Sequence, residues 1–228
     1  MLNEVVKNDV KEMRAFETPS YRDIKSESGL SVSEANKYWD NFFKEKTEEL
    51  DGYYNSYEIR LSRTPLDSLR GHWEDERGES KYIPSKETEE GKAAYDKLAE
   101  NGMDGIEYKH AEPNFSECAE VTVKISDMTE NRLDYYDNDG NLKRGNFSQA
   151  DLKCAEQWSD SQRDGRTAWK AEDVREWRRE NNFSWHERCD THTMDLVPQE
   201  IHTYFSHSGG CAECKVRDLA NLGGDFDE

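Results

Sequence analysis

Long apolar runs are missing from this chain: no segment approaches the ~18–20 consecutive apolar residues that a helix needs to span a bilayer. Hydrophobic residues are scarce in general, 33% against 36% charged, a dilute supply for a packed core. Positive charge is short as well, with 31 Lys and Arg facing 50 Asp and Glu, a formal net charge of −19. Taken alone, that balance disfavours binding to nucleic acid, because phosphate contacts ask for Lys and Arg. The five cysteines are an odd number and do not suggest a secreted disulfide framework; Cys118 and Cys154 read as buried thiols. The opening MLNEVVKNDVKEM has neither a basic n-region nor an apolar h-region, so no Sec-type signal peptide is expected. The expectation is a soluble protein, cytoplasmic as synthesised, whose export would depend on something other than a signal peptide of its own.

Aromatic rings are what the chain has instead. Six Trp, eleven Tyr and eight Phe each bury a large apolar area and argue for a folded core over full disorder. The basic residues, though few, are gathered. Arg163, Arg166, Lys170, Arg175, Arg178 and Arg179 crowd one stretch, and Lys81, Lys109, Lys143 and Arg144 add smaller points. A net-acidic protein with such clusters still presents locally positive surface, at the cost of slower, more salt-sensitive association with DNA.

Residues 1–60 read as a helical lead-in, with SVSEANKYWDNFFKEKTEEL as its best helix, capped by Ser31 or Ser33. Residues 61–217 read as one α+β domain and residues 218–228 as an acidic tail. YEIRLS alternates like a short strand. KETEEGKAAYDKLAENG reads as a helix stopped by Gly102. DGIEYKHAEPNF and AEVTVKI read as two strands of a sheet, and DYYDNDGNLKRGNF as a hairpin closed at Asn138-Asp139-Gly140. NFSQADLKCAEQWSD reads as a helix capped by Ser148, and RTAWKAEDVREWRREN as another capped by Thr167.

Four of the six histidines, His186, His192, His202 and His207, fall between Trp185 and Cys214. Histidine is the commonest metal ligand and the side chain most easily tuned for proton transfer near neutral pH. FSWHER reads as a strand, a turn follows through Cys189–Asp190, TMDLVP is a second strand, and QEIHTYFSH a helix beginning at Pro198. His202 and His207 are five apart, so that helix needs a loosened last turn, which Gly209–Gly210 supply. A hairpin and a helix that give one ligand from the first strand and two from the helix make a ββα-metal arrangement, about residues 183–210.

The ordered elements Trp185-His186-Glu187, Leu196-Val197-Pro198, Ile201-His202, His207 and Gly209-Gly210 resemble the colicin-like WHH branch of the HNH/endonuclease VII (His-Me finger) superfamily. The stretches ERGESKYIP, NGMDGIEYKHAEPNFS, NFSQADLKCAEQW and RDGRTAW…VREWRRENNFSWHE are similar to nuclease domains at the C-termini of bacterial polymorphic toxins, so the likeness covers about residues 65–217. It implies His186, His202 and His207 as ligands of one divalent ion (Mg, Zn, Ni or Mn). It also implies an endonuclease acting on phosphodiesters, with DNA favoured over RNA, in a bacteriocin-like toxin effector countered by an immunity protein.

One position departs from the branch. Glu187 stands where its second histidine, the general base, is usual. Either Glu187 is the base, or Glu187 is a ligand and His186 the base, or His192 or Asp190 substitutes from the turn. Adjacent strand residues point to opposite faces, so His186 and Glu187 share a site only if the strand bends or bulges. Cys189 with Cys211 and Cys214 would form a second, zinc site if they converge, and Arg175, Arg178 and Arg179 are candidate nucleic-acid contacts. Two other function classes fit: a non-catalytic module stabilised by the metal, and an acidic interaction protein.

Overall fold

The computed structural model describes residues 53–126 and 128–222. The lead-in helix read from SVSEANKYWDNFFKEKTEEL lies outside them, as do the last acidic residues of the tail. Among the described residues, no helix is long and apolar enough to cross a membrane.

YEIRLS is not a strand. It forms a helix, α1 (Tyr57–Ser62), whose start is capped by the Ser56 hydroxyl accepting from the Ile59 amide. The alternation of Tyr57, Ile59 and Leu61 misleads because the residue taken inside is Arg60, while Ile59 stays 47% exposed. Arg60 Nε donates to the His110 carbonyl, an acceptor that only the tertiary fold provides, and its guanidinium to the Asn55 carbonyl just before the helix.

Strands β1 (Gly71–Trp73), β2 (Lys81–Pro84), β3 (Ile106–Lys109) and β4 (Glu112–Pro113) form an antiparallel sheet in that order. Helix α2 (Glu89–Ala99) follows β2; Thr88 caps its start and Gly102, at φ +72°, turns the chain away from its end. Strand β5 (Val121–Lys124) leaves that sheet altogether. The two stretches read as strands of one sheet therefore lie in different sheets, because the chain reverses at His110 and Ala111, both at positive φ, and β5 pairs instead with β9 (Thr193–Pro198). The second sheet has the order β5-β9-β8, with β8 at Phe183–Glu187. Between them come a small hairpin, β6 (Tyr135–Tyr136) and β7 (Leu142–Lys143), turned at Gly140, and helices α3 (Asn146–Asp160) and α4 (Ala171–Glu180).

Neither expected cap holds. Helix α3 begins two residues before Ser148, at Asn146, and the Ser148 hydroxyl accepts from Arg175. Helix α4 begins four residues after Thr167, because Trp169 is drawn into the core, its amide on the Ser159 hydroxyl and its ring edge-on to Trp158. The Asp173 carboxylate caps α4 by accepting from the Lys170 amide.

The β8–β9 pair divides two cores. Trp185, Met194 and Leu196 face α3 and α4, with Trp158, Trp169, Cys154 and Val174. Val197 faces the other way, with Phe115, Ile201, Phe205 and the rings of the first sheet. Buried Asp151 of α3 secures the first side, accepting from the Trp185 indole at 2.8 Å and from Arg178 at 2.9 Å.

Candidate metal centre

Strand β8 is in unbroken register with β9 from Phe183 opposite Pro198 to Glu187 opposite Met194. With no bulge, neighbours alternate in direction: Trp185 packs toward α3, and His186 turns to the opposite core. Helix α5 (Gln199–Tyr204) starts directly after β9, with Pro198 as its N-cap. It carries His202, but it stops short of the expected QEIHTYFSH. Phe205 leaves helical geometry (ψ 87°) to bury its ring near Phe115, and His207 lies beyond on the connecting segment. That break supplies the loosened turn two ligands five residues apart require.

Three imidazoles converge as a result. A potential ligand nitrogen from each of His186, His202 and His207 lies within 4.8 Å of the others, and among the described residues no other group of His, Cys, Asp or Glu meets that condition. Ring centroids are 4.7 Å apart for His186 and His207, 5.3 Å for His202 and His207, and 5.6 Å for His186 and His202. Phe115, fully buried, sets its ring against all three, at 4.8 Å from His186.

His186 is 1% exposed, yet neither of its ring nitrogens has a hydrogen-bond partner. An imidazole deprived of water and of partners is costly unless something else meets its lone pair. His207 Nδ1 lies 2.7 Å from the Phe205 carbonyl, which places the proton on Nδ1 and leaves Nε2 as the lone-pair nitrogen. Burial holds all three neutral. It pushes His202 down to about 3, helped by His207 and Arg132, and His207 to about 4 against the bond to Phe205. His186 lies well below the usual range, from burial and then its two histidine neighbours. Neutral imidazoles with a free nitrogen are the form that binds a divalent cation.

Glu187 points away from this cluster. Its buried carboxylate accepts from Arg132 Nε at 3.1 Å, Asn146 Nδ2 at 3.0 Å and the Cys211 thiol at 3.0 Å, on the α3 side of the strand. It is not among the converging ligand groups. Asp190 builds the β8–β9 turn, accepting from the Thr193 amide and hydroxyl and the His192 amide; His192 lies in the same turn, its Nε2 3.5 Å from Asp190.

The three cysteines do not converge. The Cys189 thiol donates to the Ser208 carbonyl, Cys211 to Glu187, and Cys214 to the Met128 carbonyl. Burial pushes the Cys211 thiol up to about 12, away from the thiolate a metal needs. Of the three arginines read as nucleic-acid contacts, Arg178 is largely buried against Asp151, and Arg175 reaches Ser148 and the same carboxylate; Arg179 remains exposed.

Arg132 escaped the sequence reading. Its Glu187 contact spans 55 residues, and nothing in the local pattern around it announces a functional cation. Its charge bears on all three histidines, depressing each, while its side chain remains 59% exposed. Gly209 and Gly210 have a close-packing reason. A Cβ on Gly209 would stand 2.8 Å from the Glu187 carbonyl, and one on Gly210 2.5 Å from the Arg188 carbonyl.

Residues 105–209, which include every one of the converging histidines, match the family model described as the DNase/tRNase domain of colicin-like bacteriocin. No curated protein and no solved structure matches the chain. Over residues 105–209 the chain thus carries a colicin-like nuclease domain, in a mixed α+β fold that brings three histidines to one point.

Proposed function

We propose that the chain is a metal-dependent endonuclease that hydrolyses phosphodiester bonds, with DNA as the favoured substrate, and that it serves as a toxin effector. The observation that carries the reading is the partnerless, buried His186 facing the neutral rings of His202 and His207. A structural imidazole ordinarily has a hydrogen-bond partner; this one has none, and a bound cation would satisfy it. His186, His202 and His207 would hold one divalent ion, which when bound supplies Lewis-acid stabilisation of charge on a phosphate oxygen.

The chain's own residues do the rest. Phe115 backs the histidines and excludes water from behind them. Arg132, exposed but tethered to buried Glu187, holds a guanidinium beside the triad, suited to bidentate contact with a non-bridging phosphate oxygen pair. In this reading Glu187 is a positioning residue for Arg132, because both its oxygens are already engaged and an unbulged strand turns it away from His186. The acceptor of the water's proton is identified by comparing pH–rate profiles of Glu187→Gln, His192→Ala and Asp190→Asn; the variant that loses the low-pH limb, where rate climbs with pH, names it. A nuclease of this kind needs an inhibitor in the cell that makes it, so an immunity partner belongs to the reading.

The test is nicking of supercoiled plasmid, with transfer RNA in parallel, by purified protein with Mg²⁺, Mn²⁺, Ni²⁺ or Zn²⁺. The expected result is cleavage that chelator abolishes and that His202→Ala loses together with metal binding. A protein that binds one ion yet cuts neither substrate with any metal is a structural metal module, and the enzyme reading fails.

A further inference from the structure

Two of the three expected arginine contacts on α4 are spent on Asp151, which leaves open where an acidic molecule would hold a polyanion. Across the first turns of α3 lies a hollow of about 320 Å³ lined by Ser126, Lys143, Arg144, Gln149, Leu152 and Lys153. Three cations on one small concavity are notable in a chain with a net charge of −19. Lys143 and Lys153 pair with Asp137 at 3.3 Å and Glu156 at 2.8 Å, all through exposed or part-exposed side chains. Exposed pairs of this kind contribute only ~0–1 kcal/mol and are screened by salt, so an incoming phosphate competes with them readily. Arg144 is exposed, and its charge acts on the Asp134 carboxylate.

The hollow is joined to Arg132 and Glu187 through the start of α3. The Asn146 and Phe147 amides donate to the Asn131 and Arg132 carbonyls, and the Asn146 side chain reaches Glu187. From Asn146 to Lys153 along α3 is roughly 10 Å at a rise of ~1.5 Å per residue, or about three nucleotide steps at ~3.4 Å each.

We propose that this hollow between β7 and α3 binds backbone phosphates of the substrate strand, about three nucleotides along from the phosphate that Arg132 contacts. The inference rests on the nuclease reading and adds to it the direction in which the strand runs, from Arg132 over the start of α3. It gives the acidic protein a local cationic track where its overall charge would repel nucleic acid.

The experiment measures oligonucleotide binding by fluorescence anisotropy, in a His202→Ala background that cannot cleave, with and without Lys143→Gln, Arg144→Gln and Lys153→Gln together. Thermal midpoint reports that the triple variant is folded. Its affinity for a 20-mer at ~100 mM salt should fall at least about tenfold, and the slope of log K against log salt should shrink by roughly two to three, one counterion release per lost phosphate contact. An unchanged affinity and slope overturns the hollow while leaving the nuclease reading intact. A parent that binds no oligonucleotide, joined with no cleavage by wild type, overturns both. Poly-glutamate of matched charge competing as well as the oligonucleotide would assign the surface to an acidic polypeptide and overturn the proposal too.

Discussion

Removing the charge of Glu187 should cost activity only as far as Arg132 depends on it. If the carboxylate acts by holding the guanidinium, Glu187→Gln and Arg132→Ala each lower kcat by about 10- to 100-fold, and the double variant is no worse than either single one. If Glu187 were itself the base, the two losses would multiply. Metal affinity, followed by calorimetry, should stay within a few-fold in every variant, since neither residue is among the converging ligand atoms. The three histidines were legible in the sequence because their spacing names a chemistry that few cores need. The Glu187–Arg132 pair was not, because it joins residues 55 apart and no periodicity predicts which loop cation meets a strand carboxylate. Arg178 shows the opposite error. Its place on a basic helix suggested phosphate, while a buried Asp151 on the facing helix had the prior claim.

At the scale of elements, the close approach of α6 (Gly210–Leu222) to the hairpin is the joint most open to test. A Cβ at Gly210 meets the Arg188 carbonyl at 2.5 Å, the Met128 sulfur at 2.5 Å and the Glu187 Cβ at 3.3 Å. Backbone cannot yield as a flexible side chain does, so Gly210→Ala should destabilise by ~1–3 kcal/mol through overpacking and weaken metal binding by displacing the end of β8. Gly102→Ala is the control. Nothing lies within 4 Å of its Cβ, only its φ of +72° is strained, and metal affinity should not move. A denaturant midpoint and a metal titration for both variants decide it; equal metal affinities would mean that α6 merely rests on the hairpin. Helix α2 was legible because its signals, Thr88 and Gly102, are local. The strand reading of YEIRLS failed because Arg60 is drawn inside by the His110 carbonyl, 50 residues away, together with that of nearby Asn55. Ser148 and Thr167 failed as caps because tertiary contacts of Asn146 and Trp169 moved the helix starts.

For the whole molecule, the three buried histidines tie folding to pH and, in the proposed reading, to cation. In metal-stripped protein His202 titrates at about 3 and His207 at about 4, with His186 also well depressed, whereas in the unfolded chain each takes up a proton near ~6.5. Below that value the unfolded state binds protons that the folded state excludes, so stability falls as pH drops from ~6.5 toward ~4, by at most ~1.4 kcal/mol per pH unit per histidine. Above ~6.5 these three groups contribute no slope. Saturating divalent cation should add ~2.7 kcal/mol at a hundredfold excess over Kd, and this gain should shrink on acidification as protons compete for the same nitrogens. Denaturant unfolding at pH 5, 6, 7 and 8, in chelator and in Ni²⁺ or Zn²⁺, measures both effects. The many other carboxylates of this acidic chain also titrate, so the deciding comparison is His202→Ala. It should reduce the slope between pH 5 and 6.5 in chelator by up to ~1.4 kcal/mol per pH unit, one histidine's share, and abolish the gain from metal, and an unchanged slope together with an undiminished gain would mean that the three rings are a packed core and not a cation site.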